Sequence, residues 1–339
     1  MKTASLIVLF FLAGCSLLGG NTPTEVNSSS PSPTEVSIEA PTITPSSPLA
    51  ILVIPADMPK KESDLYQAAI SSLASESGLR FQIRNSLTQA DFEFEPNLKI
   101  VVVFPPDPGI SQLAASAPGV QFLAVTIPGL EPSANLSIVG ANGTPIENQA
   151  FMAGYIASLL SLDYRVGIID QKDTSDGTLA SEAFLNGMTF YCGLCNPQFP
   201  PWYEYPVHSD IPGDVPQSQY RFYADPLHNY QVDYAYVMPA VADEDLFDAM
   251  ADYGINIISE TMPADRLAPN WVVSIQPEVI PAIQSIWPDL LAGNGGQDLP
   301  LPLFLTDINP DLLSPGKQAD VQQVLDRLQN GEIDPILTP

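Results

Sequence analysis

The chain has 339 residues, with 39 acidic against 12 basic side chains and a formal net charge of −27 at pH 7. An electrostatic field of that sign repels phosphate groups, so we exclude nucleic acid as a partner and expect poor binding of anionic lipid headgroups. Residues 49–339 are more than a single hydrophobic core usually organises, and they predict two α/β lobes.

The first fifteen residues have the pattern of an export signal. Met1-Lys2 precedes an apolar run over 4–11 and the small-residue sequence LAGC, which ends at Cys15. The run is too short to cross a bilayer, and the small residues mark a cleavage site. This pattern resembles the signal of lipoproteins, in which the residue matching Cys15 is acylated. The resemblance implies that residues 1–14 are removed and that acyl chains on Cys15 anchor the protein to the extracytoplasmic side of a cell membrane.

Residues 15–48 have the composition of a tether. After the cysteine, Ser, Thr and Pro dominate, the only charges are Glu25, Glu35 and Glu39, and no residue is aromatic. Such a segment cannot bury enough apolar surface to fold, so we predict that it is disordered.

Short apolar runs alternate with helical patterns from residue 49 onward, as in βαβ units around parallel sheets. In the first half, the predicted strands are 49–54, 81–84, 99–104, 120–125 and 136–139, with a helix at 62–77. In the second half, the predicted helices are 147–162, 178–191, 242–253, 278–291 and 315–329, and the predicted strands are 165–170, 202–206, 234–237, 255–258, 271–275 and 301–305.

These elements predict a two-lobed α/β fold with parallel sheets flanked by helices. We assign residues 49–162 and about 263–295 to lobe 1, and residues 163–262 and about 296–339 to lobe 2. This assignment assumes that the chain returns once to the first lobe before it ends in the second.

Several segments resemble one known family. Residues 147–157 (ENQAFMAGYIA) lead into 165–169 (RVGII), and they are followed by 183–187 (AFLNG) and 270–274 (NWVVS). This order is similar to that of the basic-membrane-protein lipoproteins, which are nucleoside-type substrate-binding proteins of ABC importers. The resemblance implies the type 1 periplasmic-binding fold, a small polar ligand and an ABC transporter permease as partner.

The chain departs from this family at three expected ligand contacts. The family has a Gly-rich polar segment after the first strand, whereas Asp57 is followed here by MPKKE. The family has a Gly-Val-Asp strand end where this chain has Ser259-Glu260, and it has a lysine where this chain has Gln276-Pro277. Nucleoside binding is therefore one expectation among small polar solutes.

Candidate ligand contacts follow from the fold class, because open α/β sheets bind ligands beyond the carboxyl ends of their strands. Carboxylates suit hydroxyls or amines, and aromatic rings stack on bases or sugars. The alternatives are a helix cap for each acid and core packing for each aromatic residue. The candidates at strand ends are Asp57, Asp107, Thr126, Asn142, Asp170, Pro239, Glu260 and Asp307, and the candidate rings are Trp202, Tyr203 and Trp271.

Two cysteines lie close together at the end of a predicted helix. In an exported protein, Cys192 and Cys195 predict a local disulfide. A redox dithiol, a free buried pair and a zinc site with His208 and His228 are the alternatives, although the spacing of the two histidines is unlike that of zinc fingers.

Enzymatic function is not indicated. With two histidines and no nucleophile elbow, zinc-protease motif or phosphate loop, the sequence predicts no catalytic residue, no cofactor and no metal;. A hydrolase that uses carboxylates alone stays open. The sequence predicts a solute-binding lipoprotein of an ABC importer, and the alternatives are a ligand sensor for a membrane receptor and a ligand-free surface domain.

Overall fold

The computed structural model describes residues 47–141, 143 and 145–336. The predicted lipid-bearing Cys15, most of the tether and Asn142 therefore lie outside the described residues. Residues Ser46–Pro339 cluster as one compact unit, which holds both sheets and their hydrophobic cores, so we expect this part to fold by itself. In the described part, none of the helices combines the length and the apolar character that crossing a membrane requires.

The first sheet contains six parallel strands. Its four central strands are nearly fully buried, as expected for strands covered by helices on both faces;. Their spatial order is β11-β5-β4-β3-β1-β2. The bounds are β1 Leu49–Val53, β2 Arg80–Arg84, β3 Leu98–Val103, β4 Gln121–Val125, β5 Leu136–Val139 and β11 Asp298–Leu299.

The second sheet also has six strands, in the order β12-β10-β9-β8-β6-β7. All neighbours are parallel except β12, which runs antiparallel to β10. The bounds are β6 Val166–Gln171, β7 Val207–Ile211, β8 Tyr234–Val237, β9 Asn256–Ser259, β10 Trp271–Pro277 and β12 Leu303–Thr306. The strand predicted at 202–206 is irregular instead, because Pro200, Pro201 and Pro206 lack the N–H groups that a sheet ladder needs;.

Nine α-helices lie in the described part of the chain. Three short ones, α2, α3 and α6, have no counterpart in the sequence prediction, because six or seven residues give too little periodicity to detect. The bounds are α1 Lys60–Glu76, α2 Gln89–Phe94, α3 Ile110–Ser116, α4 Ile146–Leu160, α5 Ser175–Cys192, α6 Ala224–Asn229, α7 Glu244–Asp252, α8 Val279–Ala292 and α9 Pro315–Gln329.

The structure divides the chain between its two sheets differently from the sequence assignment. Helix α4 was placed in lobe 1, but its side chains join the core of the second sheet. The range 263–295 is split, since β10 pairs with β9 in the second sheet while α8 packs on the first. Strand β11 in turn belongs to the first sheet. The reason is that β10 is the next strand after β9 in the chain and forms its backbone hydrogen bonds with β9 in the second sheet. Only the helix after β10, which is α8, therefore returns to the first sheet.

Helices α4 and α5 pack at unusually close range through two glycines. A Cβ atom on Gly154 would lie 2.1 Å from the backbone oxygen of Phe184, and one on Gly187 would lie 1.9 Å from that of Phe151. Both values are far below van der Waals contact. The AGY and LNG segments that carry the family resemblance therefore have a packing role.

We expect Gly154→Ala to lower the free energy of unfolding by about 1–3 kcal/mol, because the added methyl group forces the two helix backbones apart. Urea unfolding of Ser46–Pro339 measures the change. Gly316→Ala, in the first turn of α9 with open space around its Cβ, is the matched control and is expected to be neutral or slightly stabilising;. Equal stability of the two variants would contradict this account of the helix contact.

Candidate functional site

Three passages of the chain connect the two sheets. Residues 140–145 join β5 to α4, residue 278 joins β10 to α8, and residues 300–302 join β11 to β12. Helices α4 and α8 each precede a parallel strand and so begin at the carboxyl edge of the sheet they cover, and β12 begins there because it is antiparallel. Each passage therefore connects the carboxyl edge of one sheet to the carboxyl edge of the other.

A cavity of about 390 Å³ lies beside the first and third passages, and we call it the hinge cavity. Its described lining comes from the first passage and the start of α4, from the start of α5, and from β11 with the residue after it. Both lobes contribute, because α5 covers the second sheet while β11 belongs to the first. A volume of this size suits a small organic ligand.

The lining of the hinge cavity is acidic. Glu147, Asp176 and Asp298 line it, and none of its described lining residues is basic. Glu147 lies in the first turn of α4 and Asp176 in the first turn of α5. Carboxylates at helix amino ends complement the helix dipole, and they remain acceptors for hydroxyl or ammonium groups.

Backbone hydrogen bonds fasten the passages to each other and to the sheets. Glu278 N donates to Pro302 O at 2.9 Å, and Gly140 N donates to Leu299 O at 2.8 Å. A second, more apolar cavity of about 390 Å³ is lined by the third passage together with Asn148, Ala282 and Phe304. Any relative motion of the lobes is thus concentrated in a few short segments, as in hinged binding proteins.

The candidates on the first sheet stay outside the hinge cavity. Asp57 is exposed after β1. Asp107 caps α3, because its Oδ1 accepts from the N–H groups of Gly109 and Ile110 at 2.9 and 2.8 Å. Thr126 follows β4 with a positive φ of 53°. Asn142 lies outside the described residues, between two residues that line the cavity.

Glu260 is held at the carboxyl end of β9 by a buried network. Gln149 Nε2 lies 3.4 Å from Glu260 Oε2 and donates to Ile275 O at 2.6 Å, while its Oε1 accepts from Tyr236 OH at 3.0 Å. Gln149 and Tyr236 are fully buried. Burial, with Glu260 nearby, raises the pKa of Tyr236 well above its usual value. Gln149 therefore links α4 to strands β8 and β10 at this edge.

Asp170 is 3% exposed in β6 and lines a different cavity. The Ser181 hydroxyl donates to its Oδ2, and Asp210 lies opposite it on β7. Burial raises the pKa of Asp170 to about 6; the Ser181 hydrogen bond lowers it, and the Asp210 charge raises it further. Its side chain therefore does not join the three acids of the hinge cavity.

Four candidates lie at the opposite edge of the second sheet, and Asp307 is one of them because it follows the antiparallel strand β12. Trp202 precedes β7 and is 73% exposed, and the neighbouring Tyr203 packs edge-on against Tyr230. Trp271 begins β10, is fully buried and donates to Ser274 Oγ, which in turn donates to Asp307 at 2.7 Å. These residues lie at one edge of the sheet, and the hinge cavity lies at the opposite, carboxyl edge. Trp271 is packed in the core and is therefore not available to stack on a ligand in that cavity.

Cys192 and Cys195 are joined by a disulfide at the end of α5. Their sulfurs are thus not available to a metal ion together with His208 and His228. The loop that follows exposes Leu194, Phe199 and Trp202 to solvent.

Sequence reasoning did not select the acids of the hinge cavity. Glu147 belongs to the segment that resembles the family, yet nothing in its pattern distinguishes it from a residue that favours helix initiation. Asp176 has the same ambiguity. Asp298 cannot be recognised as a strand residue from the sequence, because β11 has only two residues and no detectable strand pattern.

Comparison with known proteins shows the fold. No protein-family model and no curated protein matches the chain. Among solved structures, an ABC transporter solute-binding protein from Conexibacter woesei DSM 14684 is 18% identical with a TM-score of 0.54, covering 85% of this chain and 98% of its own. A transcriptional activator of the comK gene from Bacillus halodurans is 11% identical with a TM-score of 0.55, covering 85% and 99%.

At these identities the likeness concerns architecture alone. The chain has the type 1 periplasmic-binding fold, with two mainly parallel six-stranded sheets flanked by helices, which confirms the predicted fold class. The narrower resemblance to basic-membrane-protein lipoproteins stays a prediction.

We expect Gln149→Met to destabilise the protein, because the buried Tyr236 hydroxyl and the Ile275 carbonyl lose their partner at about 1–3 kcal/mol for each group. Thermal unfolding should show a loss of several degrees. Glu260→Gln keeps an oxygen that can accept from Gln149 and serves as the control, with little change expected. An unaltered melting temperature for Gln149→Met would contradict the network described above.

Proposed function

We propose that this protein is an extracytoplasmic solute-binding lipoprotein that closes its two lobes around a small polar solute and delivers it to the permease of an ABC importer. The observation that carries this proposal is the hinge cavity, which both lobes line and to which the first and third passages contribute. The fold shared with a protein named as an ABC transporter solute-binding protein supports it.

The charge of the cavity limits the chemistry of the solute. Three carboxylates without a basic residue among the described lining disfavour anions, since desolvated like charges repel;. Ammonium groups and vicinal hydroxyls are the partners that such oxygens accept from. The solute is thus cationic or rich in hydroxyl groups, and a nucleoside, through its ribose, is one member of the second class.

Membrane attachment belongs to the same proposal and rests on the sequence. The LAGC pattern supplies Cys15 for acylation, and residues 16–45 supply the length between the anchor and the folded unit. At about 0.8 kcal/mol per buried methylene, two or more acyl chains hold a soluble domain at a bilayer.

Signalling is the second candidate function. The fold is equally similar to a protein named as a transcriptional activator, with a TM-score of 0.55 against 0.54 for the solute-binding protein. In that case the ligand-bound state would act on a membrane receptor. Genes for a permease and an ATPase beside the gene of this protein favour import, and a sensor-kinase gene favours signalling.

The first prediction for this function concerns the ligand. We expect the melting temperature of Ser46–Pro339 to rise with one class among nucleosides, bases, sugars, amino acids and small amines, because ligand at a hundred times its Kd adds about 2.7 kcal/mol. Differential scanning fluorimetry identifies the class, and calorimetry gives Kd. No shift with any class would overturn solute delivery.

Variants locate the bound ligand. Glu147→Gln and Asp176→Asn should each weaken the binding of the identified ligand by about tenfold or more, since a lost charge-assisted hydrogen bond costs about 1.5–3 kcal/mol. Glu131→Gln removes an exposed carboxylate that does not line the cavity and should leave Kd unchanged. Binding that none of these changes affects would place the ligand elsewhere.

The second prediction concerns the anchor. Full-length protein should fractionate with membranes and carry labelled palmitate, whereas Cys15→Ser should lose the label and leave the membrane fraction, because the acylated thiol is absent. Cys192→Ser is the control and should remain acylated. Membrane retention of the Cys15→Ser variant would show that another segment anchors the chain.

A further inference from the structure

Three side chains with metal-binding atoms meet on one face of the second sheet. Asp170 lies on β6, and His208 and Asp210 lie on β7. Strands β6 and β7 are parallel, with Asp170 directly opposite Asp210. Because residues two apart on a strand point to the same side, His208 joins the two acids there. Strand pairing therefore fixes this group, which we call the β6–β7 cluster.

The ligand atoms of the cluster are already close together. One oxygen from each aspartate and one ring nitrogen of His208 all lie within 4.8 Å of one another. Two atoms bound to one zinc ion in tetrahedral geometry are about 3.4 Å apart, given bonds of about 2.1 Å. Each of these separations would have to shorten by about 1.4 Å at most, shared between two side chains, which side-chain rotation can supply;.

A hydroxyl on α5 orients the cluster from above. Ser181 donates to Asp170 Oδ2, and its Oγ lies 3.3 Å from His208 Nδ1. Groups that hold the ligands of a metal site in this way usually fix their orientation and tune their affinity. Ser181 is thus a positioning residue for two of the three ligands.

The cluster opens into a cavity of about 320 Å³ and is accessible from solvent. Asp170 is buried, whereas His208 and Asp210 are exposed at the edge of the sheet. Lys172 is the one basic residue in the described lining, against three aspartates. Like charges directly opposite each other on neighbouring strands are destabilising, so a bound cation would offset the repulsion between Asp170 and Asp210.

We propose that Asp170, His208 and Asp210 bind one divalent transition-metal ion, for which Zn²⁺ is the best match. An imidazole nitrogen beside carboxylates suits zinc, whereas calcium and magnesium prefer oxygen ligands alone. The remaining coordination position is open to water from the cavity. The bound ion joins β7, at the edge of the sheet, to the buried β6.

This site is independent of the proposed solute binding. The residues of α5 that line the hinge cavity, Asp176 and Leu179, do not line the cavity over the cluster, where Gly177, Thr178 and Ser181 lie instead. The two sites therefore share no lining residue, and each is tested without the other.

Isothermal titration of metal-depleted Ser46–Pro339 with ZnCl₂ tests the proposal. We expect saturable binding of one ion per chain. His208→Gln and Asp210→Asn should each weaken it by about tenfold or more, since each removes a ligand from the ion. Asp214→Asn removes a nearby exposed carboxylate outside the cluster and should change Kd by less than about twofold;. Asp170→Asn keeps the shape of the buried side chain and should also weaken binding.

Thermal unfolding and a second metal make the test decisive. Zn²⁺ should raise the melting temperature of the wild type and of Asp214→Asn, but not that of His208→Gln or Asp210→Asn. The proposal is overturned if no saturable binding occurs below about 1 mM Zn²⁺. It is also overturned if His208→Gln keeps full affinity, or if Ca²⁺ binds as tightly as Zn²⁺, because the imidazole would then not be a ligand.

Discussion

The direction of strand pairing at the passages between the sheets is the constraint on which the rest of the structure depends. Parallel strands need a helical return after each strand, and these returns place every strand end of a sheet at one edge. Because α4, α8 and β12 each begin at such an edge, the passages bring the two carboxyl edges together. The hinge cavity lies where this happens, so its position follows from topology before any side chain is considered.

Helix α4 connects this topology to the core. Its first turn contributes Glu147 to the hinge cavity, its next residues place the buried Gln149 amide between β8 and β10, and Gly154 lets its second half pack against the backbone of α5. The part of the family resemblance that lies in α4 therefore coincides with residues that the packing and the buried hydrogen bonds require. A resemblance that is sharpest there indicates the fold more strongly than it indicates the ligand.

The sequence predicted the elements well where burial dominates. Strands β1, β3, β4 and β5 are runs of buried apolar residues, and their hydrophobicity alone identifies them. Prediction was wrong at 202–206, where the aromatic character that favours a strand is overridden by three prolines;. The lobe assignment of α4, β10 and β11 was also inaccurate, because apolar periodicity shows that a segment is buried without showing against which sheet.

The candidate site was harder to predict for a related reason. The rule that ligands bind at strand ends was applied to every strand, although the antiparallel β12 carries Asp307 to the opposite edge. The candidate rings Trp202, before β7, and Trp271, at the start of β10, lie at that edge as well. The closeness of a residue to a strand in the sequence does not show whether that residue lies at the carboxyl edge or at the amino edge of the sheet. The acids that line the hinge cavity come instead from helix starts and from the two-residue strand β11, where a charged residue has many ordinary explanations.

The shortage of cations explains why carboxylates remain unneutralised at both proposed sites. Several arginines already form ion pairs elsewhere, such as Arg84 with Asp91 and Glu95 and Arg266 with Glu244 and Asp248. With 12 basic side chains against 39 acidic ones, few remain for the other acids. A buried or partly buried carboxylate without a cation must find hydrogen-bond donors, take up a proton or bind a positive ligand. The hinge cavity has the volume for an organic solute, while the β6–β7 cluster has the imidazole and the short separations that suit a metal ion.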